Sequence, residues 1–170
     1  MSKATTNQQD PPVQAAQTSS SEKTNKMQEC AQFDLLFHFS REKGDSTWEA
    51  HALAVDVVTY GDDLRDAVRM GIEAAAMVIA DELNNDRDPM DDRALSNDEI
   101  QKIISSVNLA GGKRLSLNDV VDKEADFYDV VVNLFVPIAR TKQADGTYVY
   151  EAMFEFKPKM NENVLQQKVA

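Results

Sequence analysis

The chain has a single cysteine, Cys30, in 170 residues. An internal disulfide is therefore excluded, and a reducing, cytoplasmic compartment is expected (the bacterial host's, for a phage-encoded chain). No obvious general base neighbours Cys30, so it reads as a plain thiol near the start of ordered chain. No apolar run approaches membrane-spanning length, so no transmembrane helix and no membrane partner is expected. The N-terminus shows no apolar h-region, so no signal peptide is expected. Basic residues are short: 18 Lys and Arg against 29 Asp and Glu give a formal net charge of -11 and a pI near 4.6. That balance argues against a generally basic nucleic-acid surface but allows a local basic strip.

Enzyme signatures are missing as well. There is no nucleophile elbow, no paired CxxC, no HExxH and no glycine-rich nucleotide fingerprint. Nothing selects two carboxylates from so acidic a chain. The cluster Asp86, Asp88, Asp91 and Asp92 lacks the glycine that a calcium loop of the EF-hand kind needs at its centre. It reads as a solvated loop or a docking patch for a basic partner. The two histidines, His38 and His51, fall roughly opposite each other in a hairpin centred near Gly44. A metal there would need further ligands, with Asp34, Glu49 and Asp56 nearby. No metal, no cofactor and no catalytic residue is therefore assigned.

What is present is a core-sized apolar share, 42%, in a length that suits one domain. Residues 1–29 are rich in Ser, Thr, Gln, Asn, Lys and Pro and read as a disordered arm. Residues 30–160 read as a single α+β domain, and 161–170 as a polar tail. Phe33, Leu35, Phe37 and Phe39 alternate with polar residues and predict a strand with one buried face. A turn over 43–46 leads to a long strand over 47–59, which bends or breaks in two. Its two rows are His51, Leu53, Val55, Val57 and Trp48, Ala50, Ala52, Ala54.

Helix periodicity begins at Asp62 or Asp63, whose carboxylate suits an N-cap. Leu64, Ala67, Val68, Gly71, Ala75, Val78, Ile79 and Leu83 form one stripe, and the small residues Gly71, Ala74, Ala75 and Ala76 allow close approach to a sheet. The helix is predicted to end at Asn84 and Asn85. Ser96 and Glu99 match a capping box for a second helix carrying Ile100, Ile103, Ile104 and Val107, which stops at Gly111 and Gly112. Ser116 caps a short helical turn over 115–121. A hairpin closes the domain: Tyr128, Val130, Val132, Leu134, Val136 and Ile138, then Tyr148, Tyr150, Ala152, Phe154 and Phe156, joined through Asp145 and Gly146. Pro137 marks a strand end or an edge. The predicted fold is α+β: a curved antiparallel sheet with two helices on one face and a flexible N-terminal arm.

The stretch from Trp48 through Thr59, Tyr60, Gly61, Asp63, Leu64, Asp66 and Ala67 resembles the HicB-like fold, in which strands end in a glycine followed by a capped helix with an acid and an alanine in its first turns. The match covers about 48–83 and implies part of a double-stranded-RNA-binding-domain-type core. Members of that family are often antitoxins whose core blocks a small ribonuclease and whose separate C-terminal module binds DNA. Here the C-terminal part reads as a helix and a long aromatic hairpin, with neither a helix-turn-helix nor a ribbon-helix-helix.

The hairpin is the most suggestive surface. Arg140 and Lys142 lie at its tip, Lys157 and Lys159 at the far end of its second strand. Phe127 and Phe135 are expected to share one face with Val149 and Met153. Lys113 and Arg114 follow the second helix, where they cap its negative end or touch a phosphate. Cations beside exposed aromatic rings hold single-stranded nucleic acid. The expectation is therefore a non-enzymatic single-stranded-DNA-binding accessory protein, phage-type in style, serving replication or transcription. Its partners would be single-stranded nucleic acid, a polymerase or other protein, and further copies of itself in a homo-oligomer. The alternative is an acidic HicB-like antitoxin or inhibitor that binds a basic protein.

Overall fold

The computed structural model describes residues 28–91, 95–106, 115–153 and 164–169, with Pro158, Met160 and Glu162. The fold is α+β, a curled antiparallel sheet with helices, as predicted. Its strands are β1 (Gln28–Ser40), β2 (Trp48–Ala52), β3 (Val57–Gly61), β4 (Phe127–Lys142), β5 (Tyr148–Ala152) and β6 (Val164–Val169). Its helices are α1 (Leu64–Asn84), α2 (Asn97–Ser106) and α3 (Leu117–Asp122). The sheet runs β3-β2-β1-β4-β5, and β6 shares the β5 side of β4.

The long β4 is the spine. β1 pairs with it from Gln28 opposite Thr141 to Ser40 opposite Asp129, without a break in register. On its other side β5 covers Ile138 to Lys142 and β6 covers Phe127 to Val132. Pro137 falls in the gap between them, as its missing N–H requires. Backbone N–H and C=O groups alternate sides along a strand. Leu36 O accepts from Leu53 N on the β2 side, and Arg41 N donates to Tyr128 O on the β4 side. Even-numbered residues of β1 therefore point their polar groups away from β4.

Side chains alternate as well. Leu35, Phe37 and Phe39 face inward with Val130, Val132, Leu134, Val136 and Ile138, and with Trp48, Ala50 and Ala52. α1 covers this face through Leu64, Ala67, Val68, Ile72, Ala75 and Ile79. Each large side chain removed from water in this layer contributes about 1.5–3 kcal/mol. Close approach depends on Gly71: a Cβ there would stand 3.1 Å from the Ala50 Cβ. α3 adds Leu117 and Val120 to the same core. In α2, Ile100, Ile103 and Ile104 are half-buried.

Three caps fall where predicted. Asp63 Oδ1 accepts from Asp66 N–H at 2.7 Å, Ser96 and Glu99 cap each other, and Ser116 and Asp119 form a capping box. Two further features complete the architecture. As expected, the strand over 47–59 breaks in two, into β2 and β3, at a tight turn in which Asp56 takes a left-handed φ of 49°. The predicted polar tail supplies β6, with Val164 buried and its N–H bonded to Leu115 O. The predicted arm lies outside the described residues as far as residue 27.

Candidate functional site

Four of the eight residues expected to hold nucleic acid are described, and the sheet separates them. Lys113, Arg114, Lys157 and Lys159 lie outside the described residues. Phe127 is only 5% exposed and belongs to the core. A register shift between Phe127 and Asp129 breaks the alternation there and turns the ring inward, so it offers no face to a base. Phe135 is 36% exposed on the outer face, opposite Asp34. Arg140 and Lys142 project from the other, helix-bearing face, in register with Tyr150 and Tyr148. The sheet itself stands between the exposed phenylalanine and the two cations.

Arg140 is also engaged. Its Nε and Nη2 donate to Glu29 Oε2 at 2.7 and 2.6 Å, and its Cζ lies 4.9 Å from the centre of the Tyr148 ring. The hydrogen bond to Glu29, and then that carboxylate's charge, raise the guanidinium pKa above its usual value. A phosphate would have to displace Glu29. Lys142 is exposed at the tip.

The outer face has a different character. Its cross-strand rows include Asp129, Ser40, Glu49 and Tyr60, and next to them Val131, His38, His51 and Val58. Further along come Asp34 beside Phe135, then Cys30 and Ala139 with Glu151. Val58, Tyr60, Phe135, Val149 and Met153 are 36–59% exposed. Over β1 to β5 this face contains no lysine and no arginine. β6 brings one basic register position, Lys168, beside Asp129.

At one end a cavity of about 390 Å³ is lined by Ser40, Glu49 and Tyr60 with Asp45 and Thr47 from the β1–β2 turn. Arg41 reaches its rim, but its guanidinium is spent on the carbonyl oxygens of Asp45, Phe127, Glu124 and Ala125. His38 and His51 are direct cross-strand partners, as the sequence predicted. Each imidazole has its own acid: His38 Nε2 lies 2.9 Å from Asp129 Oδ1, and His51 Nε2 lies 2.8 Å from Asp56 Oδ1. Among the described residues no group of three or more potential ligands gathers around a metal position.

Two anchoring contacts carried no sequence signal. Arg41 packs its guanidinium over the rings of Trp48 and Tyr128, at 5.1 and 5.4 Å. Asn84, at the end of α1, bonds the backbone of Tyr150 in the edge strand β5. Neither position stands out by spacing or type.

No family model, no curated protein and no solved structure matches this chain.

Proposed function

We propose that this chain is a non-enzymatic, acidic regulator that binds a basic protein partner on the outer face of its sheet, in the manner of a HicB-like inhibitor or antitoxin. One observation carries the reading: over β1 to β5 that face combines Asp34, Glu49, Asp129 and Glu151 with exposed Val58, Tyr60, Phe135, Val149 and Met153, and holds no lysine and no arginine. Apolar contact supplies adhesion in protein interfaces, and complementary charge supplies steering and partner choice. The same acids repel a phosphate backbone. The strand–turn–helix segment through Gly61, Asp63 and Ala67 adds the HicB-like part of the reading.

The test is affinity capture by the native chain and by the triple variant Asp34→Lys, Glu49→Lys, Glu151→Lys, followed by binding constants for whatever basic protein is retained. The expected loss in the variant is about tenfold or more, larger at low salt. Equal capture by both chains removes the outer face from the site.

Single-strand nucleic-acid binding is the second reading, supported by Arg140 and Lys142 beside Tyr148 and Tyr150. Fluorescence anisotropy of labelled single strands decides it. A salt-sensitive signal lost in Arg140→Ala with Lys142→Ala would favour it; a flat signal at low salt ends it.

A further inference from the structure

We infer that the unpaired edge of β1, residues 28–35, is a strand-addition site for an extended basic segment of the partner. The inference deepens the protein-binding reading above and rests on it.

β4 pairs with the whole of β1, whereas β2 pairs only with Phe37 to Ser40, and Leu36 O takes the last bond, from Leu53 N. Beyond that point the N–H and C=O groups of Gln28, Cys30, Gln32 and Asp34 point away from β4. None of them has a hydrogen-bond partner among the described residues. An open edge is a template for another strand, and proteins commonly block theirs with proline, lysine, a bulge or a cover.

Among the described residues the other edges are blocked. Asn84 occupies the outer side of β5 at Tyr150, and Pro137 sits in β4 between its pairings with β5 and β6. β3 is a short edge of five residues. The free half of β1 has no proline, no lysine and no register shift. Among the described residues it is left open where the others are closed.

The neighbouring side chains define the occupant. On the helix side an added strand would cover the half-buried Ala31 and Phe33; on the outer side it would meet Cys30, Gln32 and Asp34. The only charged residues of the stretch are two acids, Glu29, which Arg140 engages, and Asp34, which points to the outer side. The added strand would run in line with β2 and end against the turn carrying Asp56, a third acid, whose side chain is 45% exposed. A second copy of the chain would bring matching acids and another net charge of -11. A segment alternating small apolar residues with lysine or arginine satisfies backbone, apolar face and charge together.

The probe is a capped eight-residue peptide of alternating Val and Lys, added to the full chain and followed by amide hydrogen exchange. Exchange at Cys30, Gln32 and Asp34 should slow about tenfold or more, while Ala31, Phe33 and Leu35, already bonded to β4, change little. Gln32→Pro removes an outward N–H without touching the β4 ladder. It should weaken peptide binding about tenfold, and a Val–Glu peptide should not bind. The exchange pattern needs no variant, so it stands if the proline chain folds poorly. Binding without slowing at these three amides overturns strand addition, as does no binding of the Val–Lys peptide. Slowing that grows with protein concentration in the absence of peptide assigns the edge to a second copy and overturns the basic partner. Failure of the proposed function reads out separately, as indifference of protein capture to the three outer-face charge reversals.

Discussion

The side chain of Asn84 does the work of a neighbouring strand at Tyr150. Its Nδ2 donates to the Tyr150 carbonyl oxygen at 2.7 Å, and its Oδ1 accepts from the Tyr150 N–H at 2.8 Å. One helix-terminal carboxamide thus ties α1 to the outer strand of the hairpin. Asn84→Ala should lose about 1–2 kcal/mol in urea unfolding, from two hydrogen bonds worth about 0.5–1.5 kcal/mol each. Asn84→Asp keeps the acceptor and loses the donor, so it should fall between. An alanine variant as stable as the native chain would show that α1 and β5 hold together without this contact.

Gly61 ends β3 where the chain enters α1. A Cβ at this position would lie 2.1 Å from Ala67 N and 2.5 Å from its Cα, both backbone atoms that cannot step aside. Gly61→Ala should destabilise by about 3 kcal/mol or more, at or beyond the usual cost of overpacking. Thermal unfolding by circular dichroism measures it, and Gly146→Ala is the contrast. There the added Cβ meets open space, and the cost is confined to the strain of a φ of 87°.

Arg41 joins the end of β1 to the start of β4 through three carbonyl oxygens, those of Phe127, Glu124 and Ala125, at 2.9–3.0 Å. Its guanidinium also stacks over Trp48 and Tyr128. Lysine keeps the charge but cannot reproduce the planar fork. Arg41→Lys should therefore cost about 2 kcal/mol, on the scale of hydrogen bonds to a charged group left unmade. A lysine variant with native stability would reduce Arg41 to a point charge.

Three carboxyls, the half-buried Asp66 and the exposed Glu99 and Asp145, are held below their ordinary range in the folded chain. Asp66 is lowered first by the hydrogen bond from Arg69 and then by the Asp62 N–H. Glu99 is lowered by the N–H and hydroxyl of Ser96, and Asp145 by the hydroxyl and N–H of Thr147. In the unfolded chain these donors are lost and the groups bind protons more readily. Their contribution is present above the unfolded carboxylate range and disappears as pH falls through the lower folded values. Urea midpoints should decline on going from about pH 6 to about pH 3. The decline should be shallower in the combined variant Asp66→Asn, Glu99→Gln, Asp145→Asn, and an unchanged slope would contradict the assignment.

Local chemistry was legible in the sequence: the Asp63, Ser96 and Ser116 caps, the alternation of β1 and β4, and the facing positions of His38 and His51. Phe135 and Arg140, expected on one binding surface, stand an odd number of positions apart in one strand, and alternation puts them on opposite faces. What hid was set by tertiary context. Leu53 and Val55 continue a strand-like alternation yet are buried at a turn, which Asp56 permits by adopting a left-handed backbone. Phe127 reads as an outer-face residue until a register shift with β6 turns it inward. β6 itself has a polar run, Gln166, Gln167 and Lys168, and exists because β4 offers it an edge. The open edge of β1 has no sequence signature, because it is defined by where β2 stops.

The β4 spine also sets the order of events when the chain folds. Among the described residues the first half of β1 has β4 as its sole strand neighbour, and Gln28 pairs with Thr141, from the other end of the domain. The β2–β3 hairpin pairs with β1 only from Phe37 onward. The first half must wait, with both backbone edges bare, until β4 has been synthesised and found. So non-local a pairing slows folding, because the cost of closing the long loop must be met before the contacts reward it. During that interval the stretch around Phe33 and Leu35 is the part of the nascent chain most open to capture by another strand.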